Sequence, residues 1–130
     1  MVFGYCVPVR LVFGPGKLEA LGRETARHGG KALVVTSGSS KRTGLLARAV
    51  KLLEVHGVEA VVFDRVEPNP LTTTVADAAA LARSAGCDVV VGLGGGSALD
   101  AAKAAAFMAV NEGEVSDYIF ARRTGEVTKV

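Results

Sequence analysis

Along this chain, short apolar runs alternate with longer segments whose apolar residues recur every three or four positions. Ala32–Thr36, Val58–Phe63 and Asp88–Val91 are nearly continuous apolar runs, the pattern of strands covered on both faces. Between them, Thr43–His56 places Leu45, Leu46, Ala49, Leu52 and Leu53 at helical spacing and stops at Gly57. Thr72–Ser84 predicts another helix, ended by Gly86. Lys17–His28 predicts a helix with Leu18 and Leu21 on one face and Gly29-Gly30 as its stop. A further helix runs from Ser97 to about Val110, and Val115–Phe120 reads as one more turn. Val7–Phe13 alternates weakly and ends in Gly14-Pro15-Gly16, predicting a short N-terminal edge strand or hairpin. Strand and helix alternating at intervals of about 30 residues specify a parallel sheet with right-handed crossovers. The expected fold class is therefore α/β, a Rossmann-like parallel sheet with helices on both faces. The tail, Arg122–Val130, is polar and then β-prone from Glu126. It reads as the approach to a further strand, so the expectation is a piece of a longer protein.

Composition narrows the class without naming a chemistry. The 130 residues suffice for one domain with a real core, and 49% are apolar although only 5% are aromatic and Trp is absent. Val, Leu and Ala must therefore build the interior. A net charge of +2 with scattered Lys and Arg leaves no electrostatic footprint for nucleic acid. No apolar run reaches the ~18 residues of a membrane span, and the N-terminus lacks a signal-peptide pattern. Cys6 and Cys87 stand alone, without metal-ligand or disulfide spacing. A cytoplasmic protein with free thiols is the expectation. His28 and His56 each precede glycine at a predicted helix end, where an imidazole near the negative dipole end needs no metal to explain it.

The chemistry concentrates in the stretch GLGGGSALDAAKAAA, residues 92–106, where the third apolar run meets a helix. Four glycines in five positions, Gly92, Gly94, Gly95 and Gly96, let a backbone pass close to a bulky anion because no Cβ intervenes. The helix start then offers unpaired N–H groups and the positive end of its dipole. This is the chemistry of a phosphate cradle; a tight turn packing helix on sheet is the plainer alternative. The dinucleotide fingerprint GxGxxG is not met, since Ser97 stands where its last glycine would be. Ser97 and Asp100 form the S-x-x-D pattern of a capping box. Alternatively Ser97 donates to a phosphate and Asp100 contacts the ligand, although a carboxylate beside pyrophosphate is repelled.

Two other loops join the candidate site. Thr36-Ser37-Gly38-Ser39-Ser40-Lys41-Arg42 follows the first apolar run and offers hydroxyls and two cations with no carboxylate. If that strand neighbours 88–91, this loop and the glycines flank one crevice beyond the carboxyl ends of the strands. The plainer account is a polar loop that caps the next helix. Glu67-Pro68-Asn69-Pro70 follows the second run. Its prolines fix an extended turn from which the Asn69 amide can reach a ligand. Asp64 suits a ribose diol or is an ordinary surface charge.

GGGSALDAAK, together with VFGPG, ALVVTSGSS and EPNP, resembles the iron-containing (group III) alcohol dehydrogenase family over essentially the whole chain. The resemblance implies that residues 1–130 are an NAD(P)-binding domain. In it Gly95, Gly96 and Ser97, with Gly94 beside them, hold the pyrophosphate of NAD or NADP, and Asn69 lines the nucleotide site. Ser37 and Gly38 lie near the adenosine ribose. Many family members carry an aspartate at the position of Ser37, and here Ser39, Ser40, Lys41 and Arg42 follow instead. NADP is therefore expected over NAD. The family holds its iron or zinc with an aspartate and three histidines of a C-terminal helical domain, and those positions are absent from these residues. The chain alone is thus expected to bind nucleotide without oxidising a small alcohol or reducing an aldehyde or ketone. A homo-oligomer such as a dimer is expected for the whole enzyme, with no nucleic-acid or membrane partner. The rival readings are a dehydroquinate-synthase-like lyase domain, a nucleotide kinase with a GGDGS-like loop, and a non-catalytic nucleotide-binding module.

Overall fold

The computed structural model describes Gly4 and residues 8–118. Three parallel strands, β1 (Lys31–Thr36), β2 (Glu59–Phe63) and β3 (Val89–Leu93), lie in the order β2-β1-β3. The central strand explains why its sequence is unbroken in apolar residues: Ala32 through Thr36 are all fully buried. Ala32 and Val34 face one way, into a cluster with Leu46, Ala49 and Leu53 of α3 (Leu45–Val55). Leu33 and Val35 face the other way, against Ala78 and Ala82 of α4 (Thr72–Ala85) and Ala101, Ala102 and Ala105 of α5 (Gly96–Val110). A side-chain period of two thus divides one strand between two cores.

The topology follows from handedness. The chain passes from β1 to β2 through α3, then doubles back past β1 to β3 through α4. Crossovers of one hand that run in opposite directions must cover opposite faces, and α3 and α4 do. Alanine at the contact positions of α4 and α5 lets both helices lie close to the sheet and to each other. A third cluster, Val75, Ala79 and Met108, continues this contact outward to Phe107 of α5 and to Tyr118 of α6 (Val115–Tyr118).

Several local expectations are corrected. Residues 8–13 form no strand and are mostly exposed; Val7 lies outside the described residues. A lone extended segment has nowhere to place its N–H and C=O groups except water, and no described strand pairs with it. The helix expected over 17–28 is a 3-10 turn (Lys17–Ala20) followed by the short α1 (Leu21–Thr25). Gly22 weakens it as a helix but permits its approach to α3, since a Cβ there would stand 2.0 Å from the Leu52 carbonyl oxygen. Gly29-Gly30 is held by Asp88, whose carboxylate accepts the Gly30 and Lys31 N–H groups at 3.0 and 2.9 Å. These bonds hold the Asp88 carboxyl below its usual range.

The polar loop after β1 is itself helical, α2 (Gly38–Arg42), and Gly44, at φ +76°, separates it from α3. Strand β3 runs two residues further than expected, through Gly92 to Leu93. Phe120, the tail from Arg122 and Cys6 lie outside the described residues; Cys87 is a free thiol whose pKa is raised by partial burial. No described helix is long and apolar enough to cross a membrane.

Candidate nucleotide site

β1 and β3 are neighbours, so the loops after them lie side by side at the carboxyl edge of the sheet. The order β2-β1-β3 puts the reversal of chain direction there, the place where open α/β sheets bind ligands. Three interactions draw the loops together. Thr36 Oγ1 donates a buried hydrogen bond of 2.6 Å to the Leu93 carbonyl, tying the ends of β1 and β3. The Val66 N–H donates to the Thr36 carbonyl at 3.1 Å, bringing in the loop after β2. The Asn69 N–H donates to Ser97 Oγ at 3.4 Å, linking that loop to the start of α5.

The glycine stretch divides into three roles. Gly92 lies within β3, and a Cβ on it would come within 3.0 Å of Ala102 Cβ and 3.1 Å of Leu99 Cδ2. It is the packing glycine of the plainer reading, letting α5 lie close against the strand. Gly94 takes φ +143°, and its Cβ would press to 3.2 Å on Ala98 Cβ; the turn requires its backbone freedom. Gly95 and Gly96 are neither strained nor crowded, and a Cβ on either would project into open space. Open space beside the backbone at a helix start is what a backbone-held anion needs.

Helix α5 begins two residues earlier than the capping box implies. Gly95 is its N-cap, Gly96 its first residue, and no side chain caps it. Its first internal bond runs from the Leu99 N–H to the Gly95 carbonyl, so the N–H groups of Gly96, Ser97 and Ala98 have no carbonyl behind them in the helix. Ser97 sits inside the first turn, half-buried, with its hydroxyl engaged by Asn69. Asp100 does not complete a capping box. Its carboxylate is 73% exposed and lies 3.8 Å from Lys103 Nζ, so an interaction along the surface of the helix replaces the cap.

Ser37 is the N-cap of α2 without capping it; its hydroxyl shares a 2.7 Å hydrogen bond with that of Ser39. Ser40, buried, places its Oγ 3.9 Å from where a Gly94 Cβ would be, so α2 backs the glycine turn. Gly38 lies at the start of α2, beside Ser37. Asn69 adopts φ +54°, a left-handed conformation that asparagine tolerates better than most residues. The loop is held from Glu67, whose Oε1 accepts the Leu71 N–H at 2.9 Å and the Thr74 hydroxyl at 2.7 Å. These bonds keep the Glu67 carboxyl below its usual range, the Leu71 N–H contributing most. Thr36 and Glu67 have the strongest positioning geometry, and neither stands out in sequence except as a polar residue at a strand end or before a proline. Among the described residues no group of three or more His, Cys, Asp or Glu is arranged to hold a metal. His56 Nδ1 instead lies 2.9 Å from the Leu52 carbonyl of its own helix.

The family model for iron-containing alcohol dehydrogenase matches residues 8–130. NADH-dependent butanol dehydrogenase B of Clostridium acetobutylicum is 40% identical over 118 residues, spanning 90% of this chain and 30% of that protein. 1,3-Propanediol dehydrogenase of Klebsiella pneumoniae is 37% identical over 120 residues, spanning 90% of this chain and 31% of its own. The crystal structure of NADH-dependent butanol dehydrogenase A from Thermotoga maritima superposes with a TM-score of 0.88 at 32% identity, over 98% of this chain and 32% of that one. The chain spans about a third of the length of these relatives. It belongs to the iron-containing alcohol dehydrogenase family.

Proposed function

We propose that these residues are the NAD(P)-binding domain of a metal-dependent alcohol dehydrogenase that moves hydride between a nicotinamide cofactor and a small alcohol, aldehyde or ketone. The observation carrying this reading is the open space beside Gly95 and Gly96 at the uncapped start of the 15-residue helix α5. The cofactor, when bound, supplies the hydride carrier. The chain's own residues bind and orient it. The N–H groups of Gly96, Ser97 and Ala98 face the pyrophosphate, favoured by the helix dipole. Ser97 and Asn69, already hydrogen-bonded to each other, form one wall, while Ser37, Gly38 and Ser39 meet the adenosine ribose. Asp100 serves at the rim of this site. The described residues do not fit a metal, so the polarisation of the substrate oxygen is assigned to residues outside them.

The same geometry favours NADP over NAD. No carboxylate stands at Ser37 to accept a ribose diol, and Lys41 and Arg42 close α2 as exposed cations. Calorimetric titration of the chain with NADP and NAD tests both readings. The Gly95→Val variant is expected to lose at least about tenfold in affinity for either nucleotide while keeping its fold, because the new side chain enters open space and the weaker N-cap of α5 costs only about 1 kcal/mol. Lys41→Met is expected to weaken NADP selectively. Equal affinities, or tighter NAD, would overturn the NADP preference; an unaffected Gly95→Val would move the site away from the glycines.

A further inference from the structure

Asp64, read from the sequence as suiting a ribose diol or as an ordinary surface charge, stands directly after β2. The register Val35–Phe63 sets it level with Thr36, one strand spacing, about 4.8 Å, from the exit of β1 into Ser37. The Val66 N–H bond to the Thr36 carbonyl holds the two exits together. Asp64 Oδ2 accepts a hydrogen bond from Lys41 Nζ at 3.2 Å. The acid is the sheltered partner, its side chain 32% exposed against 71% for the lysine. Arg65, next in sequence, turns elsewhere, toward Asp77 and over the Phe63 ring.

We propose that Asp64 is a positioning residue that sets the selectivity for the ribose 2′-phosphate: the acid absent at position 37 is present one strand over, and it competes with the 2′-phosphate for Lys41. The inference rests on the nucleotide reading above. An exposed ion pair is weak, so a doubly charged phosphate can take the amine from it. The carboxylate left behind then repels that phosphate across a short distance. Asp64 thereby limits the preference for NADP that the serines and cations of α2 create.

The experiment is calorimetric titration of the chain with NADP and with NAD, for the parent, Asp64→Asn, Asp64→Glu, Lys41→Met and the double variant Lys41→Met/Asp64→Asn. Asp64→Asn is expected to tighten NADP about three- to tenfold and to move NAD by less than about twofold. Asp64→Glu returns the ratio to that of the parent. With Lys41 already replaced, the gain from Asp64→Asn falls to about twofold, the part due to direct repulsion. The positions are at the surface, and thermal unfolding of each variant checks that the fold is kept. An unchanged NADP-to-NAD ratio in Asp64→Asn, or a gain of equal size without Lys41, overturns the role of Asp64 while leaving the nucleotide site standing. A parent chain that binds neither nucleotide overturns the nucleotide reading, and this inference with it.

Discussion

At Gly94 the backbone takes φ +143° and turns the chain from β3 toward α5 with Ala98 directly above it. Gly95, next along, has an ordinary backbone angle and open space beside it. The two glycines are alike in sequence and differ in what a methyl group would do. Gly94→Ala is expected to lower the unfolding free energy by about 1–3 kcal/mol, because alanine must hold a backbone conformation closed to it while pressing on Ala98. Gly96→Ala, also facing open space, serves as the control and should unfold within about 0.5 kcal/mol of the parent. Chemical denaturation of both variants checks this, and equal stabilities would refute the assignment of strain to Gly94. The glycine-rich turn is legible in the sequence because glycine alone leaves a backbone free of a Cβ. Which glycine bends the chain, which packs against a helix and which faces open space is not, since each answer depends on neighbours in other elements.

At the level of elements, α4 starts without a capping side chain of its own and is held from upstream by Glu67, through Leu71 and Thr74. The same contacts shape the turn that places Asn69 against Ser97. Because the folded-state pKa of Glu67 is lowered, its stabilisation is fully present above the ordinary glutamate range, about pH 4.3. It is lost as the pH falls through the folded value. Glu67→Gln removes the charge but keeps the shape. Urea denaturation should therefore show a larger stability difference between parent and variant at about pH 6 than at about pH 3. Asp88, whose shift has the same sign, is common to both proteins and cancels in the comparison. A pH-independent difference would remove Glu67 as an ionised anchor of the loop. The helix itself was readable from its periodicity, whereas this anchor was not: the prolines around Asn69 mark a turn without saying which side chain secures it.

Across the whole molecule, β3 is an outer strand of the sheet. Beside it runs a groove of about 1120 Å³ lined by Val9, Leu11, Val89 and Val91 among others. Among the described residues, β3 itself carries neither proline nor lysine, and edges of that kind pair with other chains. Exposed apolar side chains at its rim, Leu11 at 82% and Val9 at 70%, add to the effect. The chain on its own is expected to associate with rising concentration in sedimentation velocity. Val9→Ser combined with Leu11→Ser should reduce that association and leave the thermal midpoint within about 2 °C. A monomer at all concentrations would show the edge to be protected after all.

By itself the sequence determined the α/β class, the three parallel strands with the helices that cross between them, and the glycine stretch between β3 and α5. Apolar periodicity and turn residues act over a few positions and need no distant partner to be read. Tertiary structure alone decided the order β2-β1-β3 and the lack of a strand over residues 8–13, where described neighbours supply no ladder. It also replaced the expected Ser97 cap by a contact with Asn69, 28 positions away. The tie between Thr36 and Leu93 joins residues 57 apart, and the pairing of Lys41 with Asp64 joins residues 23 apart. Such contacts arise only after the sheet has aligned its strand ends, which is why the glycine stretch was visible in the chain and the side chains that frame it were not.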